Sequence, residues 1–146
     1  MQITTRSRYS ARALLEMARN PRSAPLAIRT IARRQEIPGK YLESLFKQLR
    51  IAGLVRSIRG AGGGYVLARS PQEVTLWDIV TAVEEKLSVA ECVHDPSACH
   101  RSSVCATRDV WDQLEHAVSG MLRSVSLANL INMHNDKQAQ ALSYCI

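Results

Sequence analysis

The chain has 146 residues, 46% of them apolar, a size that suits one domain with its own core and excludes two large ones. No window approaches eighteen consecutive apolar residues, and the opening Met1-Gln2-Ile3-Thr4-Thr5-Arg6 lacks the hydrophobic run of a signal peptide, so a soluble, cytoplasmic protein without a membrane partner is expected. The net charge of +6 is segregated: residues 1–70 hold fourteen Lys or Arg against three acids, a balance of +11, while residues 71–146 hold five against ten. The first half therefore suits a polyanion, nucleic acid before others, with a merely solvated basic face as the alternative.

Taken in chain order, Tyr9, Ala13, Leu14, Met17 and Ala18 recur at helical spacing until Asn20-Pro21, which predicts a first helix over roughly Ser7–Arg19. The stretch Leu26–Gln35 puts Leu26, Ile28, Ile31 and Ala32 on one side and Arg29, Arg33 and Arg34 on the other. It reads as a short second helix. After the interruption at Pro38-Gly39, Tyr41, Leu42, Leu45, Phe46, Leu49 and Ala52 repeat the helical period up to Gly53, a good residue just past a helix end. Two helices joined by a tight turn make a helix-turn-helix candidate.

Alternation then replaces the helical period. Leu54–Ile58 and Tyr65–Leu67 flank a tip of Arg59-Gly60-Ala61-Gly62-Gly63-Gly64, the pattern of a β-hairpin. A hairpin in this place is the wing of a winged helix-turn-helix. The glycines do not make a phosphate loop, because no Lys-Ser/Thr follows them and a strand rather than a helix comes next.

Beyond Ser70-Pro71, Thr75 and Asp78 form a capping-box variant opening a helix that runs to about Glu85. Residues 91–105 carry Cys92, Cys99, Cys105, His94, His100 and Pro96 with little apolar period, and a loop is expected. From Thr107 to Ser124, Val110, Trp111, Leu114, Ala117, Val118, Met121, Leu122 and Val125 form a continuous apolar seam. Such a seam suits a second copy of the chain, with packing onto its own domain as the alternative. A short final helix starts at Ser126, and the polar stretch beyond Asn135 is expected to fray. The fold class is therefore mainly α, a winged helix-turn-helix with a β-hairpin wing and a long C-terminal dimerisation helix. The expected division is a DNA-binding region at 1–70, a connecting helix at 71–90, a cysteine loop at 91–106, the dimerisation and terminal helices at 107–135, and a tail at 136–146.

Two sets of residues carry chemistry. In the basic half, Lys47, Arg50 and Arg56 suit phosphates, which give salt-dependent affinity without sequence information. The start of the third helix suits a major groove, where Lys40 can donate to guanine and Glu43 can accept from cytosine; for Glu43 an i,i+4 pair with Lys47 is the alternative. Arg59 at the wing tip, beside the bare Gly60, suits a narrow minor groove. In the acidic half, three thiols lie within fourteen residues, at spacings too wide for a zinc knuckle. An iron–sulfur cluster, a zinc ion and reactive or inert thiols all remain open from spacing alone. A fourth ligand could be His94, His100, Asp95, Asp109 or a side chain of a partner subunit, and Cys145 reads as an unligated thiol. No nucleophile–base pair or carboxylate pair points to an enzyme.

The sequence resembles the Rrf-type family of winged-helix iron–sulfur regulators typified by IscR, with nitric-oxide-sensing, iron-sensing and cysteine-metabolism relatives. The resemblance spans residues 1 to about 132. It is carried by Arg8-Tyr9, by Tyr41-Leu42-Glu43-Ser44-Leu45-Phe46 with Leu49-Arg50 and Gly53-Leu54-Val55, by Arg59-Gly60-Ala61-Gly62-Gly63-Gly64-Tyr65, and by the three-cysteine loop after Trp77-Asp78-Ile79-Val80. It implies a homodimeric transcription factor that binds a palindromic promoter site and whose cluster state sets promoter affinity, with Glu43 reading the major groove and Arg59 entering the minor groove. Together with the reading of the residues above, the set expected to face double-stranded DNA is Lys40, Tyr41, Glu43, Lys47, Arg50, Arg56, Arg59 and Gly60. It further implies an iron–sulfur cluster on Cys92, Cys99 and Cys105, 2Fe-2S ahead of 4Fe-4S. The chain departs from the family pattern at the fourth ligand: Arg108 stands where IscR-like members have a histidine, and Arg8 where nitric-oxide sensors have an aspartate. A cluster-free repressor controlled by a partner protein and a thiol-redox protein are the competing readings.

Overall fold

A computed structural model describes residues 2–20 and 24–145. Helix α1 (Thr5–Ala18) opens where the Thr4 hydroxyl accepts the Arg6 amide at 3.1 Å, satisfying one of the donors a helix start leaves free. Its Ala13, Leu14 and Met17 turn inward. Helix α2 (Ile28–Gln35) starts two residues later than the apolar period suggests. The reason is non-local: Leu26 exchanges two backbone hydrogen bonds with Tyr65, at 3.0 and 2.8 Å, and so acts as a third, one-residue strand beside the wing. Glu36 closes α2 in the left-handed region at φ 53°, and the turn through the buried Ile37 leads to α3 (Gly39–Ile51).

Helix α3 buries Leu42, Leu45, Phe46 and Leu49 along one stripe, which meets Leu14, Ile31, Leu54 and Ile79 in a single core. Gly53, at φ 72°, ends the helix as expected. Strands β1 (Val55–Ile58) and β2 (Gly64–Leu67) pair antiparallel with Val55 opposite Leu67 and Ile58 opposite Gly64. The edge of Tyr65 packs on Phe46 with ring centroids 4.9 Å apart, which fixes the wing against α3. Gly64 lies at φ 150°, and a Cβ there would collide with the Leu26 carbonyl; one at Gly63 would collide with the Ile58 carbonyl. Gly63 and Gly64 are therefore glycines for want of space.

Thr75 and Asp78 form the expected capping box at the start of α4 (Leu76–Val83). Residues 91–105 are not plain loop. They contain a helical turn, α5 (Glu91–His94), and a 3-10 turn at Pro96–Ala98, whose first amide donates to Asp95 Oδ1 at 2.9 Å. Helix α6 (Ala106–Ser124) packs on α4 and α5 but buries none of its residues, leaving Val110, Trp111, Leu114 and Met121 exposed. Helix α7 opens with a second capping box, Ser126 with Asn129, and returns to pack on α1. It runs from Leu127 to Ser143, so the stretch expected to fray beyond Asn135 is helical. Leu76 and Leu127 each donate a backbone hydrogen bond across the crossing point, to Val125 at 2.9 Å and Val74 at 2.8 Å, which locks the C-terminal helices to the first domain. No helix is long and apolar enough to cross a membrane among the described residues.

Candidate nucleic-acid interface and thiol loop

The outer face of α3 is what remains once Leu42, Leu45, Phe46 and Leu49 have turned inward. Lys40, Tyr41, Glu43, Lys47 and Arg50 are all exposed there, and Arg56, Arg59 and Gly60 are exposed on the wing. These side chains differ from several other cations of the basic half in one respect. Arg6, Arg12 and Arg34 are engaged by Gln48 and Glu85, by Gln35, and by Glu16 respectively, whereas Lys40, Lys47, Arg50, Arg56 and Arg59 make no side-chain hydrogen bond or ion pair among the described residues. The i,i+4 alternative for Glu43 is not realised, since Glu43 and Lys47 form no ion pair. Its carboxylate is left as an uncommitted acceptor on the outer face. Tyr41 is partly committed, its ring standing edge-on to Tyr9 at 6.0 Å. At the wing tip Gly60 adopts φ 108°, a conformation costly for other residues, and this turn carries Arg59 at the end of the hairpin.

Arg29 and Arg33 of α2 are exposed and unpaired as well, and no role was expected of them. The signal was present in the sequence, since both lie on the polar side of the α2 period, but their place beside α3 depends on the packing of the two helices.

Cys92, Cys99 and Cys105 are free thiols, each half-buried, while Cys145 is exposed at the far end of α7. Cys105 sits at the N-cap of α6 with its sulfur 3.1 Å from Thr107 Oγ1. That hydrogen bond, aided by the Arg108 amide, pulls its thiol below the usual range and favours the thiolate that binds metals. The Cys99 carbonyl accepts from the Ser102 amide at 3.1 Å and its hydroxyl at 2.7 Å.

In kind, three sulfur donors on one short segment fit an iron–sulfur centre. In arrangement the single chain does not complete one: no three His, Cys, Asp or Glu side chains converge on a metal-sized site among the described residues. Arg108, which cannot ligate a metal, donates from Nε to the Cys92 carbonyl at 2.7 Å and ties α5 to the start of α6. Arg8 donates to its own neighbour Thr5 at 3.3 Å. His94 is committed elsewhere, with Nε2 at 2.6 Å from Glu115 Oε1. Glu115 lies ten residues along α6 from Cys105, about 15 Å of helix, which draws the His94 imidazole away from the third thiol. Asp95 is taken up by the Ser97 amide and hydroxyl. His100 and Asp109 are exposed.

A helix-turn-helix whose outer face is cationic and unpaired, followed by a hairpin packed on its second helix, defines a winged-helix DNA-binding protein. Comparison with known proteins narrows the class. A family model described as "Rrf2: Iron-dependent Transcriptional regulator" matches residues 3–133, and the chain belongs to the Rrf2 family of transcriptional regulators. It is 41% identical over 131 residues to the protein rrf2 of Nitratidesulfovibrio vulgaris, covering 90% of this chain and 87% of that one. It is 36% identical over 132 residues to the regulator IscR of Serratia proteamaculans, covering 90% and 80%. Among solved structures, CymR, the global cysteine regulator of B. subtilis, superposes with a TM-score of 0.77 at 34% identity, covering 91% of this chain and 98% of that one. IscR of T. potens superposes with a TM-score of 0.77 at 30% identity, covering 94% and 91%. These relatives are regulators, and no catalytic family is indicated.

Proposed function

We propose that this regulator is a cytoplasmic homodimer that grips a palindromic promoter site with α3 and the wing of each subunit, and whose affinity is set by the state of the thiol loop. The observation that carries the reading is the coexistence, on one domain, of an unpaired cationic face and a segment with three half-buried thiols. Lys47, Arg50 and Arg56 neutralise phosphates; Lys40, Tyr41 and Glu43 meet base edges in the major groove; Arg59, carried by Gly60, enters the minor groove. Dimerisation runs through the seam of α6, where Val110, Trp111, Leu114 and Met121 would otherwise stay in water. A pair of two-fold-related recognition helices reads a two-fold DNA sequence.

Cys92, Cys99 and Cys105 would hold an iron–sulfur cluster, 2Fe-2S ahead of 4Fe-4S, with a partner subunit or an external ligand completing the set. When bound, such a group supplies a centre that responds to iron supply and oxidants. The residues of this chain do the rest: Arg108 braces the loop through the Cys92 carbonyl, and the hydrogen bond from Thr107 eases deprotonation of the Cys105 thiol. Protein purified without oxygen should be brown, with iron and sulfide in equal amounts, and Ala at any of the three loop cysteines should bleach it while Cys145→Ala does not. Colourless, iron-free protein under those conditions refutes the cofactor. A second reading is favoured by one observation: Arg108, a side chain that cannot ligate a metal, is spent on bracing the Cys92 carbonyl. In it the loop is read by a partner protein, and iron-free material that still binds its operator selects it.

A further inference from the structure

The N-terminal turn of α1 touches both the helix that faces DNA and the chain that leads into the thiol loop. Arg6 Nη2 donates to Gln48 Oε1 of α3 at 3.1 Å, and its Nη1 lies 3.4 Å from Glu85 Oε1. One residue earlier, Glu84 Oε1 accepts three hydrogen bonds: from the Thr4 amide at 3.2 Å, the Thr4 hydroxyl at 2.7 Å and the Ser7 hydroxyl at 2.5 Å. Glu84 is the C-cap of α4, and from it residues 84–90 run without helix or strand to the start of α5. The far end of that stretch is also pinned, since Glu115 of α6 accepts from the Val89 amide at 3.1 Å and holds His94 at 2.6 Å. Residues 84–90 are thus a strap, fastened at one end to α1 and at the other to α6 and α5.

Arg6 is the only side chain among those described that hydrogen-bonds both this strap and α3. Gln48 follows Lys47 directly and precedes the buried Leu49, so a pull on its amide bears on the helix that carries the cationic face. We infer that the 84–90 strap transmits the state of the thiol loop to the recognition helix, with Arg6 as the positioning residue that joins strap to helix. This rests on the reading of residues 91–105 as the sensing element. Coupling of this kind needs an element whose two arrangements both sites bias. The strap is placed to be that element, because side-chain hydrogen bonds fasten its ends to two different bodies, the DNA-facing domain and α6.

The test uses the full chain in a Cys145→Ser background, with the palindromic duplex that the wild-type protein selects from a random pool. Affinity is read by fluorescence anisotropy with the loop thiols reduced and after their alkylation by iodoacetamide. The wild type should differ between the two states by about fivefold or more, and Arg6→Ala should shrink that ratio to about twofold or less. Loss of a phosphate contact at Arg6 would weaken both states alike and leave the ratio intact. Arg6→Lys keeps the charge but not the two-pronged reach, and should shrink the ratio as Ala does. Gln48→Ala cuts the link from its other end and guards against an Arg6 variant that fails to fold. Ratios equal to wild type in the Arg6 and Gln48 variants overturn the strap.

Hydrogen exchange supplies an arm that needs no thiol chemistry. Arg6→Ala should raise exchange in residues 84–90 and in the last turn of α3 together, and a change confined to residues 4–8 overturns the inference. A wild type indifferent to alkylation refutes the sensing role of the loop instead, and exchange then decides the strap alone.

Discussion

On the proposed interface, the exposed cations of α3 and the wing set the steepness with which salt weakens DNA binding. Lys47, Arg50 and Arg56 are unpaired and exposed, so each can displace one counterion from DNA without first breaking a bond within the protein. Three such contacts in each subunit of the proposed dimer give a slope of log K against log salt of about −5. Lys47→Ala removes one contact per subunit and should lower the slope to about −3.6. Affinity should fall for specific and random duplexes alike, because a phosphate contact carries no sequence information. Anisotropy titrations of a labelled duplex between about 50 and 200 mM salt measure this directly. Arg34, committed to Glu16 at 2.9 Å, is the control, and Arg34→Ala should leave the slope near its wild-type value. A Lys47→Ala slope equal to wild type would refute the reasoning.

The base-reading role proposed for Glu43 gives a different signature: Glu43→Ala should relax preference at one position per half-site, by about 1–3 kcal/mol, in a selection experiment. At the α6 seam, Trp111→Glu places a charge where Trp111 is 41% exposed beside Leu114, and light scattering should report a shift from dimer to monomer. Gly64→Ala forces a Cβ against the Leu26 backbone at φ 150°; about 1–3 kcal/mol of stability should be lost in a denaturant titration, with the wing loosened and specific binding weakened. Glu84 yields a pH dependence. Burial works to raise its carboxyl pKa, but the hydrogen bonds from Ser7 and Thr4 prevail and hold it below its ordinary value of 4.5. A carboxyl depressed in the folded state contributes stability that is present above the unfolded pKa and lost as pH falls through the folded one. Wild-type protein should therefore lose stability on acidification more steeply than Glu84→Gln.

Local signals were legible where local chemistry decides. The Thr75–Asp78 capping box, the Gly53 helix end and the hairpin around Arg59 all stand as read, although the burial of its strands does not alternate. The misreadings share a cause. Leu26 fits the apolar period of α2, yet its backbone is claimed by Tyr65, thirty-nine residues on. The polar run 136–140 carries no apolar stripe, but the Ser126–Asn129 capping box and a helix already nucleated on α1 propagate through it to Ser143. Asp95 and Arg108 fold turns into the cysteine segment through contacts that no period reveals.

At the candidate site, residue types were readable and their engagement was not. Nothing in the spacing distinguishes Arg6, bound to Gln48 and Glu85, from Lys47, which is free. The pairing of Thr4 with Glu84 spans eighty residues of chain. His94 reads as a ligand by its nearness to Cys92, and only the folded α6 supplies the Glu115 that occupies it.

The most direct measurement is the anaerobic affinity of wild-type and Cys92→Ala protein for the same palindromic duplex, at one salt concentration. If the three thiols govern the grip of α3 and the wing, the two affinities differ by about fivefold or more, while binding to random duplex stays the same. Equal affinities for the palindrome contradict it.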